Sequence, residues 1–227
     1  MRRYIAFAII LISTLGATAA KASTSPTFAL SGDVSLLSHY VEHGLSQSDN
    51  SPALQGSFWF NFGSQFRLGV WGSNTNYEHG DDHFNLRMNA EVKVDFSQNA
   101  QLEIGYTKSQ YYNGGDHNGD LLSLHLNLWK SRIMYDTNSN WEATHEKSER
   151  FAFGNIMDVF GGWKWNNEIG YNTPDVETIN PYFDARTGLG TKWGVIFFEG
   201  ALTATSESSQ FDGAGDYFFI LSASTDL

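Results

Sequence analysis

The chain has no cysteine among its 227 residues. Disulfide frameworks, zinc–thiolate centres and cysteine nucleophiles are therefore excluded. Charge is scarce: Asp, Glu, Lys and Arg make up 17%, where soluble domains average about 25%. Positive charge is scarcer still, 14 Lys and Arg against 25 Asp and Glu, giving a net charge of −11. Phosphate binding needs the opposite balance, so no nucleic-acid partner is expected. Beyond the first two dozen residues no apolar run is long enough for a spanning helix. Rings and glycine are plentiful: 7 Trp, 10 Tyr, 17 Phe and 22 Gly. So many buriable rings exclude disorder. The combination points to an all-β chain rich in turns.

The N-terminus reads as an export signal. Arg2 and Arg3 form a cationic start, Ile5 to Leu15 is apolar apart from Ser13 and Thr14, and Ala20-Lys21-Ala22 has a small-x-small cleavage pattern. This divides the chain into a signal peptide, 1–22, and a mature domain, 23–227. Losing Arg2, Arg3 and Lys21 leaves 11 bases against 25 acids, a net charge of −14. An exported chain without a spanning helix enters a membrane only as a closed barrel.

The mature chain alternates. In 84–96, Leu86, Met88, Ala90, Val92, Val94 and Phe96 oppose Arg87, Asn89, Glu91, Lys93 and Asp95. This is the two-residue period of a strand. Leu122, Leu124, Leu126 and Leu128 oppose Ser123, His125 and Asn127. Phe58, Phe60 and Phe62 oppose Gln55, Ser57 and Asn61, with Trp59 on the polar side. Twelve strands are expected: 28–40, 53–62, 66–74, 84–96, 100–108, 121–128, 131–138, 150–157, 163–172, 180–188, 192–205 and 216–227. The segment 192–205 is apolar on both faces, so its orientation is not legible. The connections alternate in length: long at 41–52, 75–83, 109–120, 139–149, 173–179 and 206–215, short at 63–65, 97–99, 129–130, 158–162 and 189–191. Long external loops alternating with short periplasmic turns are the mark of an outer-membrane barrel. The expected fold is an all-β, transmembrane, antiparallel up-and-down barrel of about 12 strands, with 10 or 14 as alternatives. Tyr40, Tyr77, Tyr106, Tyr111, Tyr112, Trp163, Tyr171, Tyr182 and Tyr217 fall near strand ends, where they suit interfacial girdles. The last strand ends in Leu227 rather than the Phe that barrel-assembly machinery commonly reads.

In a bilayer the apolar face meets lipid and the polar face the lumen. The expected lumen then holds Asp33, Arg67, Arg87, Glu91, Lys93, Asp95, Glu103, Arg132, Asp136, Lys164, Glu168, Asp184 and Arg186. These charges either pair and plug the barrel or line a wet channel. The long loops carry Glu78, Asp81, Asp82, Asp116, Asp120, Glu142, Glu146, Glu149, Asp175, Glu177, Glu207 and Asp212 against Lys147. Such a rim attracts cations. His79-Gly80-Asp81-Asp82-His83 and Asp116-His117-Asn118-Gly119-Asp120 carry ligand-type residues without a recognised ligand spacing. No metal or cofactor is expected. Ser123 and His125 share a face, as a hydrolytic pair does, but that face is the lumen and no third member is visible in the sequence.

Three stretches carry a family likeness: Ser31-Gly32-Asp33-Val34-Ser35-Leu36, the run from Gly44 through Gln47-Ser48-Asp49 to Gly56, and Gly69-Val70-Trp71-Gly72-Ser73-Asn74. They resemble the TorF family of porins, exported proteobacterial proteins. His43 stands where members usually carry Arg. The resemblance implies an outer-membrane barrel with a transport role and no catalytic residues. The expected function is a porin-like channel for passive diffusion of small polar solutes, with a modest cation preference. The alternatives are a closed barrel acting through its loops and a lipid-acting membrane enzyme. The expected partners are outer-membrane lipid and lipopolysaccharide, the barrel-assembly machinery and the diffusing solutes.

Overall fold

A computed structural model describes residues 28–77 and 81–227. The signal-peptide segment, the cleavage position, Glu78 and His79 lie outside the described residues. Twelve long strands run up and down: β1 (Phe28–Leu37), then, after the two-residue strands β2 (Val41–Glu42) and β3 (Leu45–Ser46), β4 (Ala53–Phe62), β5 (Phe66–Asn74), β6 (Phe84–Ser97), β7 (Ala100–Tyr112), β8 (Gly119–Leu128), β9 (Ser131–Asn138), β10 (Ser148–Asp158), β11 (Trp163–Pro174), β12 (Tyr182–Trp193), β13 (Ile196–Thr205) and β14 (Phe218–Asp226). All twelve pair antiparallel in one closed barrel, in ring order β1, β4, β5 and so on to β14. β14 returns to β1 through the register Asp33↔Asp226 to Leu37↔Ser222. Closure leaves no unpaired sheet edge, which hydrocarbon does not tolerate.

The alternation sorts side chains between two environments. Leu36, Leu54, Leu122, Phe151, Leu202 and Phe219 all lie outside and are 55–60% exposed. A continuous apolar wall of this kind requires lipid. The inner positions carry the polar groups.

Four expectations are corrected by the tertiary structure. First, 189–191 is not a turn. β12 continues to Trp193, and the chain reverses at Gly194-Val195, where Gly194 takes φ +62°. Gly188 and Gly190 resemble turn residues in sequence but serve as in-strand gaps. A Cβ at Gly188 would lie 2.6 Å from the Glu199 carboxylate, and one at Gly190 would lie 2.4 Å from the Phe197 ring. Second, the strand begun at Phe28 ends at Leu37 rather than at residue 40. Third, 41–52 is not a purely external loop: it turns inward and forms the β2–β3 hairpin. Fourth, not every tyrosine near a strand end joins a girdle. Tyr106, Tyr112, Tyr171 and Tyr217 face outward, but Tyr40 and Tyr182 are buried. Tyr77 and Tyr111 are also engaged inside, by Gln47 and the lumen wall respectively.

The thirteen charged residues expected on the polar face all occupy inner positions of their strands. Asp95 and Lys164 stand at the short-turn mouth. The barrel proper is thus a hollow polar cylinder, and what fills its long-loop end defines the site.

Candidate functional site: an inward-folded hairpin across a paired lumen

Most charges on the lumen wall are paired. Arg67 pairs with Glu91 at 2.5 Å and stacks on Trp59, 4.1 Å from the ring centre. Lys93 reaches Glu103 at 3.2 Å, and Glu103 also accepts from Arg132. Arg150, which is 4% exposed, binds Asp184 through Nε at 3.0 Å and Nη2 at 2.8 Å, and Glu168 at 2.7 Å. Arg186 pairs with Glu199, which also accepts from Asn166 at 2.7 Å. Asp33 accepts from Ser57, Asp95 from Gln101 at 2.7 Å, and Lys164 lies 3.9 Å from Asp158. Ion pairs in so confined a space offset the cost of desolvating each charge.

Two of these groups were not legible beforehand. Arg150 sits near the start of β10, among the inner residues Ser148, Ala152 and Gly154, so no polar alternation marks it. Glu199 is the one carboxylate in the apolar 196–205 segment. Its isolation in an apolar run was the available signal.

His125 does gain an acidic partner. Its Nε2 lies 2.8 Å from Asp136 Oδ1, and its Nδ1 accepts from Arg132 Nη2 at 2.7 Å. Both ring nitrogens are occupied, so the imidazole has no free nitrogen to take a proton from Ser123. The pair faces the lumen rather than lipid.

The long-loop end is closed by folded chain. Glu42 on β2 receives a bidentate pair from Arg87 on β6, Nη1 to Oε1 at 2.8 Å and Nη2 to Oε2 at 2.5 Å. Tyr40 donates to the same carboxylate at 2.7 Å, and the Arg87 guanidinium lies over Trp71, 4.7 Å from the ring centre. Burial alone would raise the Glu42 carboxyl, but Arg87 outweighs it and holds the group down at about 2. Two residues later Gly44 presses on the opposite wall. A Cβ there would lie 2.5 Å from the Thr205 methyl and 2.9 Å from Asp184 Cβ, and the backbone takes φ +81°. β6 and β12 stand six places apart in the ring of twelve. The hairpin therefore crosses the lumen from wall to wall. Only glycine fits at its far support.

Other loops hold the hairpin from above. Leu45 is buried with Trp141 of the 139–147 loop and Tyr182, and Val176, Ile179 and Phe211 pack against them. Gln47 is a hub: its amide N–H bonds Tyr40 O, its carbonyl accepts from Asn76, and its side chain meets Tyr77 at 2.6 Å and Glu142 at 3.3 Å. Asp82 was expected at the acidic rim but is buried. Burial pushes its carboxyl up, but the amides of Gly115 and His117 and the His117 ring pull it below its ordinary value. Those bonds, 2.5 Å to Gly115 N and 2.9 Å to His117 Nδ1, clasp the 75–83 loop to the 113–118 loop. The Asp82 carboxylate is thus consumed by loop anchoring. Among the described residues no group of three or more His, Asp or Glu side chains converges as a metal site would.

Two chambers result. One, about 570 Å³, opens outward above the hairpin and carries Asp49, Asp116, Glu142, Asp212 and Asp216, with no Lys or Arg among the described residues of its wall. The other, about 490 Å³, lies at the short-turn end beside Arg132, Asn166, Glu168 and Arg186. Between the hairpin and the β6–β9 wall only a gap of about 50 Å³ remains.

This architecture has counterparts among solved structures. The chain superposes on a structure described as KdgM porin with a TM-score of 0.57, at 9% identity, covering 86% of this chain and 97% of that one. For NanC porin the TM-score is 0.58, at 8% identity, covering 86% and 98%. The fold is that of a porin. At such identities the likeness concerns fold alone. Residues 20–127 match the model of a family described as a bacterial protein of unknown function (Gcw_chp). No curated protein matches the chain in sequence. In this porin-fold barrel the hairpin is the element that separates the two chambers.

Proposed function

We propose that the protein is an outer-membrane channel of the TorF type for passive diffusion of small polar solutes, narrowed by the β2–β3 hairpin. The observation that carries this reading is a polar lumen inside an apolar wall, with a chamber on each side of one inward-folded loop. Side chains and short contacts, rather than continuous sheet, occupy the path. Export through cleavage after Ala22 and insertion by the barrel-assembly machinery, with lipopolysaccharide around the loops, complete the reading. The five outer-chamber carboxylates, unopposed by Lys or Arg among the described residues of that wall, support a modest cation preference. The thirteen inner charges serve as pore lining whose mutual pairing keeps the wall close to neutral.

The test is single-channel recording of the refolded chain from Ser23 onward, in planar bilayers under a salt gradient. Steady openings with a cation-side reversal potential are expected. An anion-side potential would refute the selectivity.

A second reading rests on the hairpin itself: a barrel closed for good, working through its loops. A folded, heat-modifiable barrel that never conducts, in wild type or in variants that release the hairpin, would favour it.

A further inference from the structure

Glu142 occupies an unusual position. Its carboxyl borders both the outer chamber and the narrow gap beneath the hairpin, a place that among the described residues only His117 shares. The backbone that puts it there is left-handed at three non-glycine residues, Glu142 at φ +45°, Ala143 at +60° and His145 at +61°. Such conformations cost about 1–3 kcal/mol each and persist where surrounding structure imposes them. Among the described residues the carboxyl has one side-chain partner, Gln47 Nε2, at 3.3 and 3.5 Å. The nearest guanidinium, Arg87, is already bidentate to Glu42. An ionised Glu142 therefore brings a second carboxylate to a site whose cation is committed.

We propose that the β2–β3 hairpin is a movable lid over the lumen and that loss of the Glu142 proton lifts it, so that the barrel is shut in mild acid and opens toward alkaline pH. This rests on the channel reading and supplies its regulation. The lid is held by one ion pair on β6, a glycine seat on β12 and β13, the packing of Leu45 on Trp141 and Tyr182, the Ser46 amide bond to Ala214 O at 2.7 Å, and the Gln47 hub. The barrel's own ladders do not pass through it.

The charged surroundings set the sign. On the lid side Glu142 faces Glu42 and His43. Across the gap stand Arg87, Tyr111, His117 and Asp120, with Tyr77 and Tyr182 behind. Burial comes first and Glu42 second in pushing the Glu142 carboxyl up to about 7, against weaker help from Gln47 and Arg87. With the lid lifted, the carboxyl returns toward the 4.5 of a solvated Glu. The shut state thus holds its proton more tightly. Its advantage is complete below about pH 4.5, declines as pH rises and is gone above about 7. The shift corresponds to roughly a hundredfold in the shut-to-open ratio, after allowance for partial solvent contact. His39 opposes this at the acid end: its Nε2 bonds Ser46 at 2.7 Å, and burial lowers its affinity for a proton.

The absence of native cysteine makes the test clean. Thr107→Cys places one thiol in the narrow gap beneath the lid, and Asn50→Cys places one on the exposed loop. Each refolded barrel is labelled with a charged maleimide between pH 5.5 and 8, and the ratio of the two rates cancels the thiol's own titration. The ratio is expected to rise at least tenfold across this range. It is expected to stay flat with Glu142→Gln, to keep its slope with Glu142→Asp, and to steepen at the acid end with His39→Gln. A constant ratio in the parent barrel, or an unchanged slope in Glu142→Gln, overturns the proposal. Labelling reads the lid without needing current. Lid movement in a barrel that never conducts would sink the channel reading alone, and conduction beside a pH-independent ratio would sink the lid alone.

Discussion

Replacing Glu42 with Gln removes the charge that fastens the hairpin to Arg87 while leaving its shape. The magnitude follows from the carboxyl's displacement, from an ordinary 4.5 to about 2. At about 1.4 kcal/mol per unit this is roughly 3 kcal/mol of attachment at neutral pH. Both side chains keep some solvent contact, 28% for Glu42 and 20% for Arg87, so about 2 kcal/mol is the better expectation. That corresponds to about a thirtyfold shift from latched to released hairpin. The sign is that of a depressed acid: the attachment is complete above about pH 4.5 and is lost as pH falls through about 2. It is therefore intact across the range in which Glu142 titrates. The assay is single-channel recording at pH 6, with closed-time distributions for the parent and Glu42→Gln. Shorter closures and a higher open fraction are expected, with an unchanged melting temperature, because no ladder bond of the barrel involves Glu42. Equal closed times in both proteins, with both folded, would refute the role of this ion pair as a latch. Arg87→Gln is a poorer choice, because it also removes a cation stacked on Trp71.

Gly44→Val forces a side chain into the Thr205 and Asp184 contact and strains a backbone at φ +81°. The hairpin is expected to lose its far seat by about 1–3 kcal/mol, read as faster solute entry in liposome swelling. Arg150→Gln leaves Asp184 and Glu168 without their cation, a loss of about 3–5 kcal/mol for a buried pair, and a clear fall in the gel-shift melting temperature is expected. Asp82→Ala removes the acceptor of four bonds to the 113–118 loop. Faster amide exchange at Gly114, Gly115 and His117 is expected with barrel exchange unchanged, and unaltered exchange at those amides would contradict the clasp.

The barrel was legible from the sequence because strand alternation is local. Side chains of successive residues leave a strand on opposite faces whatever the rest of the chain does. Phe58, Phe60 and Phe62 against Ser57, Trp59 and Asn61 therefore disclose a lipid side and a lumen side directly. The twelve strands followed from the same rule. The rule failed where local information was missing. Gly188 and Gly190 looked like a turn because their purpose, room for Glu199 and Phe197, lies on the neighbouring strand. Arg150 was hidden among small residues, and Glu199 inside an apolar segment.

The hairpin belongs to a different class. Nothing near residue 42 states that its carboxylate meets Arg87, 45 positions on, or that Gly44 rests against Thr205. Tyr40 and Tyr182 have the composition of interfacial aromatics, yet they pack inside. Those choices depend on which surfaces come together once the ring has closed, and closure is itself a long-range event. The sequence alone determined the barrel wall, strand by strand, through covalent geometry and the preference of apolar groups for lipid. Only the tertiary structure decided what fills its mouth, because that outcome depends on complementarity between segments far apart in the chain.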